Sequence, residues 1–173
     1  MTQSQTLPLL WLLSDKRNDK RLEAALAALP PGSGFVFRHY HLPEAERRAR
    51  FMALTGPARR RGHRIVLSRT SGWGEDGVYG RAEIIGSCPG LRLATAHDAD
   101  EVEASNAINA DGVFLSPVFS TRSHPGSAAL GPAEFRRLAT LAQMPVIALG
   151  GMTAARAREL DWLRWGAIDG FTP

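Results

Sequence analysis

The sequence predicts an α/β protein: a shortened (βα)8 barrel in a single domain over residues 1–173. Three observations lead there. Short apolar runs without polar alternation recur along the chain, as expected of strands buried on both faces of a parallel sheet. Amphipathic, helix-forming segments separate most of them. Eight such runs can be counted, which suits a closed barrel better than an open sheet. At 173 residues the chain is short for this fold, which usually takes about 250 residues. Loops must therefore be compact or helices reduced.

The elements follow in order. Residues 9–13, L-L-W-L-L, form the first strand. An alanine- and leucine-rich helix over 20–29 closes at Pro30-Pro31-Gly32. Residues 34–40 are the second strand, and 43–54 a helix that Gly56-Pro57 should end. Short strands follow at 65–67 and 77–79. Only a loop or a stub of helix fits between them, since a normal crossover takes a dozen or more residues. The fifth strand is 91–95. Asp98, with Glu101 three residues on, opens a helix to 107 in the manner of a capping box. The sixth strand is 112–115. Gly131-Pro132 then starts a helix with Phe135, Leu138, Ala139 and Ala142 on one face. Residues 146–149 form the seventh strand, Thr153 caps a helix to about 163, and 167–171 form the last strand. Helices are thus expected to be missing or reduced after strand 3 and strand 8. Such gaps would bare apolar barrel surface, so a homo-oligomer is the expected way to cover it.

Composition narrows the class. Apolar residues make up 44% and charged residues 22%, ordinary for a globular protein. The net charge is +4, and Lys16 and Lys20 are the only lysines. Arginines cluster at 47, 48 and 50 and at 59–61. No interleaved aromatics or known motif accompany them, so they read as a solvated helix face and nucleic acid is not the expected partner. A basic protein does attract small anionic substrates. Cys88 is the single cysteine, which excludes an internal disulfide and cysteine metal clusters and suits a cytoplasmic location. The first apolar run lacks a basic flank and is too short for a membrane span.

The stretch 111–152 carries the chemistry. It reads D-G-V-F-L-S-P-V-F, then S-T-R-S-H-P-G, and later P-V-I-A-L-G-G-M. One apolar strand ends at Ser116-Pro117 before a loop rich in hydroxyls and basic groups. Another ends at Gly150-Gly151 just before a helix. Small polar loops at the C-terminal ends of parallel strands are how α/β proteins hold anions.

P-V-F-x-T-x-S-x-P-G and P-V-I-A-L-G-G resemble the thiamine phosphate synthase superfamily, which also contains thiazole tautomerases. L-A-T-A-H (93–97) and L-W-L-L-S-D (10–15) extend the likeness, which is good over 91–152, moderate over 8–40 and poor over 63–90 and 166–173. The resemblance implies a TIM-type barrel of thiamine biosynthesis, a transferase. It joins an aminopyrimidine diphosphate to a thiazole phosphate, with Mg2+ and release of pyrophosphate. Residue by residue it implies Arg38, Thr121, Ser123 and His124 as catalytic positions around the departing pyrophosphate. It implies Thr95, His97, Ser116, Arg122, Gly150 and Gly151 as substrate- and phosphate-binding positions. Pro117 stands where the tautomerases carry histidine, as in the synthases.

The chain also departs from the pattern. His124 replaces a lysine, exchanging a permanent cation for a mostly neutral group. Val36 and Tyr40 replace the glutamine and lysine that flank Arg38 in the family. Leu67 and Ser68 replace an Asn-Asp pair whose acid binds Mg2+ in the family, and Mg2+ wants carboxylate oxygens. Glu83 is the one substitute acid the sequence offers; Asp76 and Asp111 suit turns. A second reading is therefore a catalytically silent or regulatory relative that binds a small phosphate or a thiamine-related ligand.

Overall fold

A computed structural model describes residues 6–122, 125–126 and 128–171. Eight parallel strands form a closed TIM-type barrel in chain order: β1 (Leu10–Leu13), β2 (Gly34–Phe37), β3 (Arg64–Ser68), β4 (Gly77–Gly80), β5 (Leu91–Ala96), β6 (Gly112–Leu115), β7 (Val146–Ala148) and β8 (Trp165–Ala167). Leu10, Trp11 and Leu12 pair with Trp165, Gly166 and Ala167 to close the ring. Around it lie α1 (Leu22–Ala28), α2 (Glu44–Arg60), α3 (Ala82–Ile85), α4 (Ala99–Ala107), α5 (Gly131–Ala139) and α6 (Ala154–Glu159).

Alternation along each strand sorts side chains into two layers. Trp11, Leu13, Val36, Val66, Tyr79, Leu93, Phe114 and Ile147 fill the barrel interior. Their sequence neighbours face the helices: Leu12, Phe35, Phe37, Ile65 and Leu67 pack with buried residues of α1 and α2. Val78, Ala94, Val113, Leu115 and Ala148 pack with Phe135 and Leu138 of α5. Trp11 sets the interior's shape. Its indole donates to the Pro8 carbonyl at 2.9 Å, and its ring meets Phe114 edge-on at 5.8 Å. A Cβ on Gly34 would lie 2.1 Å from that ring, so β2 must begin with glycine.

Most boundaries shift by no more than about three residues, as at β2, which ends at Phe37 rather than 40; three differ by more. α2 does not stop at Gly56-Pro57 but runs to Arg60. Arg47, Phe51, Leu54 and Ala58 form one buried stripe that continues past the proline. Burying Phe51 and Leu54 is worth about 1.5–3 kcal/mol each, which offsets the roughly 3 kcal/mol a proline costs inside a helix. β8 lies at Trp165–Ala167 rather than 167–171. Gly166 lies inside this strand and gives the interior room: its added Cβ would meet Leu13 and Phe114 at 3.0 and 3.2 Å. α6 ends at Glu159, because Asp161 takes a positive φ of 50° and the Trp162 amide folds back to the Ala157 carbonyl.

No helix links β3 and β4, as the spacing predicts. The eight residues 69–76 can span about 26 Å when extended, enough to return along the barrel without one. Trp73 covers the outer face there, 5.7 Å from Phe51 and beneath the Arg47 guanidinium at 5.2 Å. Asp76 ends the segment by accepting from the Ile65 amide at 2.8 Å, and Asp111 accepts from the Arg92 amide at 2.8 Å; both serve turns.

Candidate functional site

The alternation that fills the barrel also builds its mouth. Two residues beyond each interior side chain, the next inward position lies at the strand's C-terminal end. Val36 is followed by Arg38, Val66 by Ser68, Tyr79 by Arg81, Leu93 by Thr95, Phe114 by Ser116, Ile147 by Leu149 and Gly166 by Ile168. All seven of these end positions line one cavity of about 940 Å³, floored by Leu13 and Tyr79. That volume lies in the upper part of the usual range for small-molecule sites, about 300–1,000 Å³. Burial pushes the Tyr79 phenol up to about 12, against the opposing charge of Arg38, so it stays a hydroxyl at neutral pH.

Most of the residues singled out in the sequence meet there. Arg38, Thr95, His97, Ser116, Thr121, Arg122, Gly150 and Gly151 all line the cavity. Ser123 and His124 lie outside the described residues. Glu83 does not line it; its side chain is 61% exposed on α3 and pairs with Arg81 at 3.6 Å. The His97 imidazole is turned partly outward, with Nδ1 on the Glu101 carboxylate at 2.7 Å, and the same oxygen accepts the His97 amide. The expected capping box is thus shifted by one residue: Asp98 accepts from the Glu101 amide at 2.9 Å, and Glu101 reaches back to His97. Gly150 and Gly151 have positive φ of 96° and 62°. Cβ atoms there would come within 2.5 Å of Pro117 Cα and of the Ser120 carbonyl, respectively. Both glycines therefore let the β7 loop press against the β6 loop, a packing reason for glycine beside the anion-binding one.

Arg38 is held from several sides. Its Nε donates to the Ser14 carbonyl at 2.9 Å, and its Nη2 lies 3.3 Å from Asp15. Burial works upward on the Asp15 carboxyl, but hydrogen bonds from Arg17 and the charges of Arg17 and Arg38 hold it below the ordinary range. The Arg38 amide donates to Ser14 Oγ at 2.7 Å. Ser14 Oγ lies 2.8 Å from His39 Nδ1, and His39 Nε2 lies 2.7 Å from Asp19. Desolvation lowers the pKa of buried His39 despite Asp19, so the ring is neutral: it carries its proton on Nε2 and accepts from the Ser14 hydroxyl. These are the residue types of a hydrolase triad, but Ser14 is fully buried and its oxygen already takes an amide proton. The nitrogens are also reversed, since a triad serine faces Nε2. The relay fixes the end of β2. From behind, buried Arg47 donates to the carbonyls of both Arg38 and Ser68, tying the ends of β2 and β3 together. Sequence reading missed this relay, because its members lie on different elements and no local motif joins them.

The mouth is cationic. Among the described residues, Arg17, Arg38, Arg69, Arg81, Arg122 and Arg156 line it, against Asp169 as the lining carboxylate. Arg69 takes a positive φ of 64°, and its guanidinium carbon lies over the Tyr40 ring, 3.8 Å from the centroid. Arg156 of α6 donates to the Gly151 carbonyl at 2.6 Å and covers Phe119 at 4.8 Å. The residues present do not fit Mg2+. Leu67 points into the outer layer, and Ser68 Oγ is engaged with the Tyr40 hydroxyl at 2.6 Å. No cluster of three or more His, Cys, Asp or Glu that could hold a metal occurs among the described residues.

The thiamine monophosphate synthase family matches residues 90–163. A curated relative from Aquifex aeolicus (strain VF5), "Putative thiamine-phosphate synthase 2", is 34% identical over 59 residues; the match spans 34% of this chain and about a third (32%) of that protein. A thiamine phosphate pyrophosphorylase from Pyrococcus furiosus superposes with a TM-score of 0.77 over 92% of this chain and 85% of its own, at 19% identity. The YdjI aldolase from Escherichia coli K12 superposes with a TM-score of 0.63 over 94% of this chain and 75% of its own, at 9% identity. At such identities the two structures speak for the barrel alone. The matched stretch holds strands β5 to β7, their mouth loops and the glycine pair, and over it the chain is similar to the thiamine monophosphate synthase family.

Proposed function

We propose that the barrel is a thiamine phosphate synthase-type transferase, taking an aminopyrimidine diphosphate and a thiazole phosphate. The observation that carries this reading is the convergence of Arg38, Thr95, Ser116, Thr121, Gly150 and Gly151 on one cationic cavity at the strands' C-terminal ends. Barrel enzymes keep their active sites at that face. In the reaction, the carbon–oxygen bond to the diphosphate breaks and pyrophosphate leaves with the electron pair. The thiazole nitrogen then donates its pair to the same carbon. Negative charge grows on the leaving group, so fixed cations already aimed at it favour the transition state. Arg38, braced by Ser14 and Asp15, is such a cation. Thr121 supplies a hydroxyl from the β6 loop, and the Gly150-Gly151 turn with Thr153 and Arg156 forms the opposite wall for the thiazole phosphate. The cavity holds both partners in one orientation, which is most of what such a two-substrate step requires.

The test is direct. Incubation with both substrates should yield thiamine phosphate by chromatography, and thiazole phosphate should bind in calorimetry. Absence of product overturns the transferase reading, and absence of thiazole phosphate binding as well overturns the site assignment with it.

A further inference from the structure

The corner at the end of β3 offers cations where a metal ion would need oxygens. The oxygen atoms there are already taken by the protein's own donors. The Ser68 carbonyl accepts from Arg47, and Ser68 Oγ is bonded to Tyr40. The Arg38 carbonyl also accepts from Arg47, and the Ser14 carbonyl accepts from Arg38. Asp169, the lining carboxylate, stands 3.6 Å from the Arg17 guanidinium. The Ser68–Tyr40 pair also has a constructive use: the Tyr40 ring is the platform on which Arg69 lies. Arg81 follows at the next strand end, its side chain 65% exposed at the rim of the same cavity. Asp15 pairs with Arg38 at 3.3 Å and Glu83 with Arg81 at 3.6 Å, but neither carboxylate lines the cavity. A divalent cation placed in it would face three guanidinium groups, whereas a diphosphate would meet three fork-shaped donors suited to phosphate oxygens.

We propose that this cavity binds the diphosphate group as a metal-free anion, neutralised by Arg38, Arg69 and Arg81 in place of a divalent ion. The proposal rests on the reading of the cavity as a diphosphate site. It deepens that reading by assigning the counter-charge to this chain's own side chains.

The probe is inorganic pyrophosphate, titrated calorimetrically into the full chain in buffer with EDTA and again with excess Mg2+. Binding should be present with EDTA. It should weaken when Mg2+ is added, because Mg2+ complexes pyrophosphate in solution and competes with the arginines. Arg69→Gln and Arg81→Gln, both at exposed positions, should each lower metal-free affinity about tenfold, the equivalent of one charge-assisted hydrogen bond. Arg48→Gln, exposed on α2 and outside the cavity, should leave it unchanged. Binding that requires Mg2+, or affinities in both cavity variants equal to wild type, overturns the proposal while leaving the diphosphate site standing. Pyrophosphate binding in neither buffer overturns both. Metal-free binding without product in the two-substrate assay leaves this proposal intact and counts against the transferase reading alone.

Discussion

Ser14→Ala removes a single oxygen, and the structure says what that should cost. Ser14 is fully buried at the end of β1. Its Oγ accepts the Arg38 amide at 2.7 Å and, through its own proton, satisfies His39 Nδ1 at 2.8 Å. Alanine leaves both partners buried without a bond. Each such orphan costs about 1–3 kcal/mol. Because both depend on one atom and can relax together, the sum should fall near 3 kcal/mol rather than at the upper limit. For a chain of this size each kcal/mol lowers Tm by about 2–4 °C, so the variant should melt about 6–12 °C below wild type. Urea unfolding should shift its midpoint with the slope unchanged. The same loss frees the backbone that aims Arg38, so pyrophosphate affinity should fall in the still-folded variant at low temperature. Ser71→Ala, at an exposed position, is the control and should change stability by less than about 0.5 kcal/mol. A Ser14→Ala protein that melts within about 2 °C of wild type and binds pyrophosphate normally would show that the relay positions nothing.

Other expectations can be checked with the same assays. Desolvation depresses the pKa values of buried His39 and His63 below their unfolded values, so both contribute fully above about pH 6.5. Below that, the unfolded chain takes up protons that the fold refuses. Stability should fall toward acid by up to about 1.4 kcal/mol per pH unit for each histidine, and a urea midpoint unchanged between pH 7.5 and 5.5 would contradict this. Gly150→Ala must place a Cβ at positive φ and 2.5 Å from Pro117. It should lose about 1–3 kcal/mol and disturb the mouth loop; a Tm equal to wild type would mean the two loops yield easily. Leu67→Asn should destabilise by about 3 kcal/mol or more, because it buries an amide in the outer core instead of delivering it to the cavity. Ser68→Asp should fold and should weaken metal-free pyrophosphate binding, since it sets a carboxylate beside the bound anion; unchanged affinity would place the anion elsewhere.

Much of the fold was legible because local signals and global packing agreed. Continuous apolar runs became strands at nearly the expected positions, and the β3–β4 gap followed from counting residues. Asp98 and Thr153 accept amides three residues on, as their positions before helices suggest. At α2 and β8 tertiary packing set the boundary, whereas α6 ends at a local turn around Asp161. Pro57 sits inside α2 because the buried stripe continues beyond it. Gly166 sits inside β8 because Leu13 and Phe114 leave no room for a side chain. α3 carries no strong signal of its own; its four residues are helical where Ala82 and Ile85 are buried against the barrel.

The site divides along the same line. The β6 and β7 loops were readable because their residues are consecutive, so one stretch of sequence carried the chemistry. Of the arginine mouth, only Arg38 and Arg122 were readable. Arg17, Arg38, Arg69, Arg81, Arg122 and Arg156 are scattered over most of the chain, and the arginine clusters at 47–50 and 59–61 lie on α2 and its C-cap. A signal for part of the mouth did exist. Once an interior residue is assigned on each strand, the position two further on must face the mouth. Applied to Val36 and Tyr79, this rule yields Arg38 and Arg81; applied to Val66, it yields Ser68 and not Leu67. Leu67 and Ser68 stand together where the family has an Asn-Asp pair, but strand alternation points them to opposite faces. Leu67 packs the core, and the Ser68 hydroxyl braces the Tyr40 platform beneath Arg69. Charge at this mouth thus follows from strand parity, and changing parity at one strand end would exchange a binding residue for a core residue without altering composition.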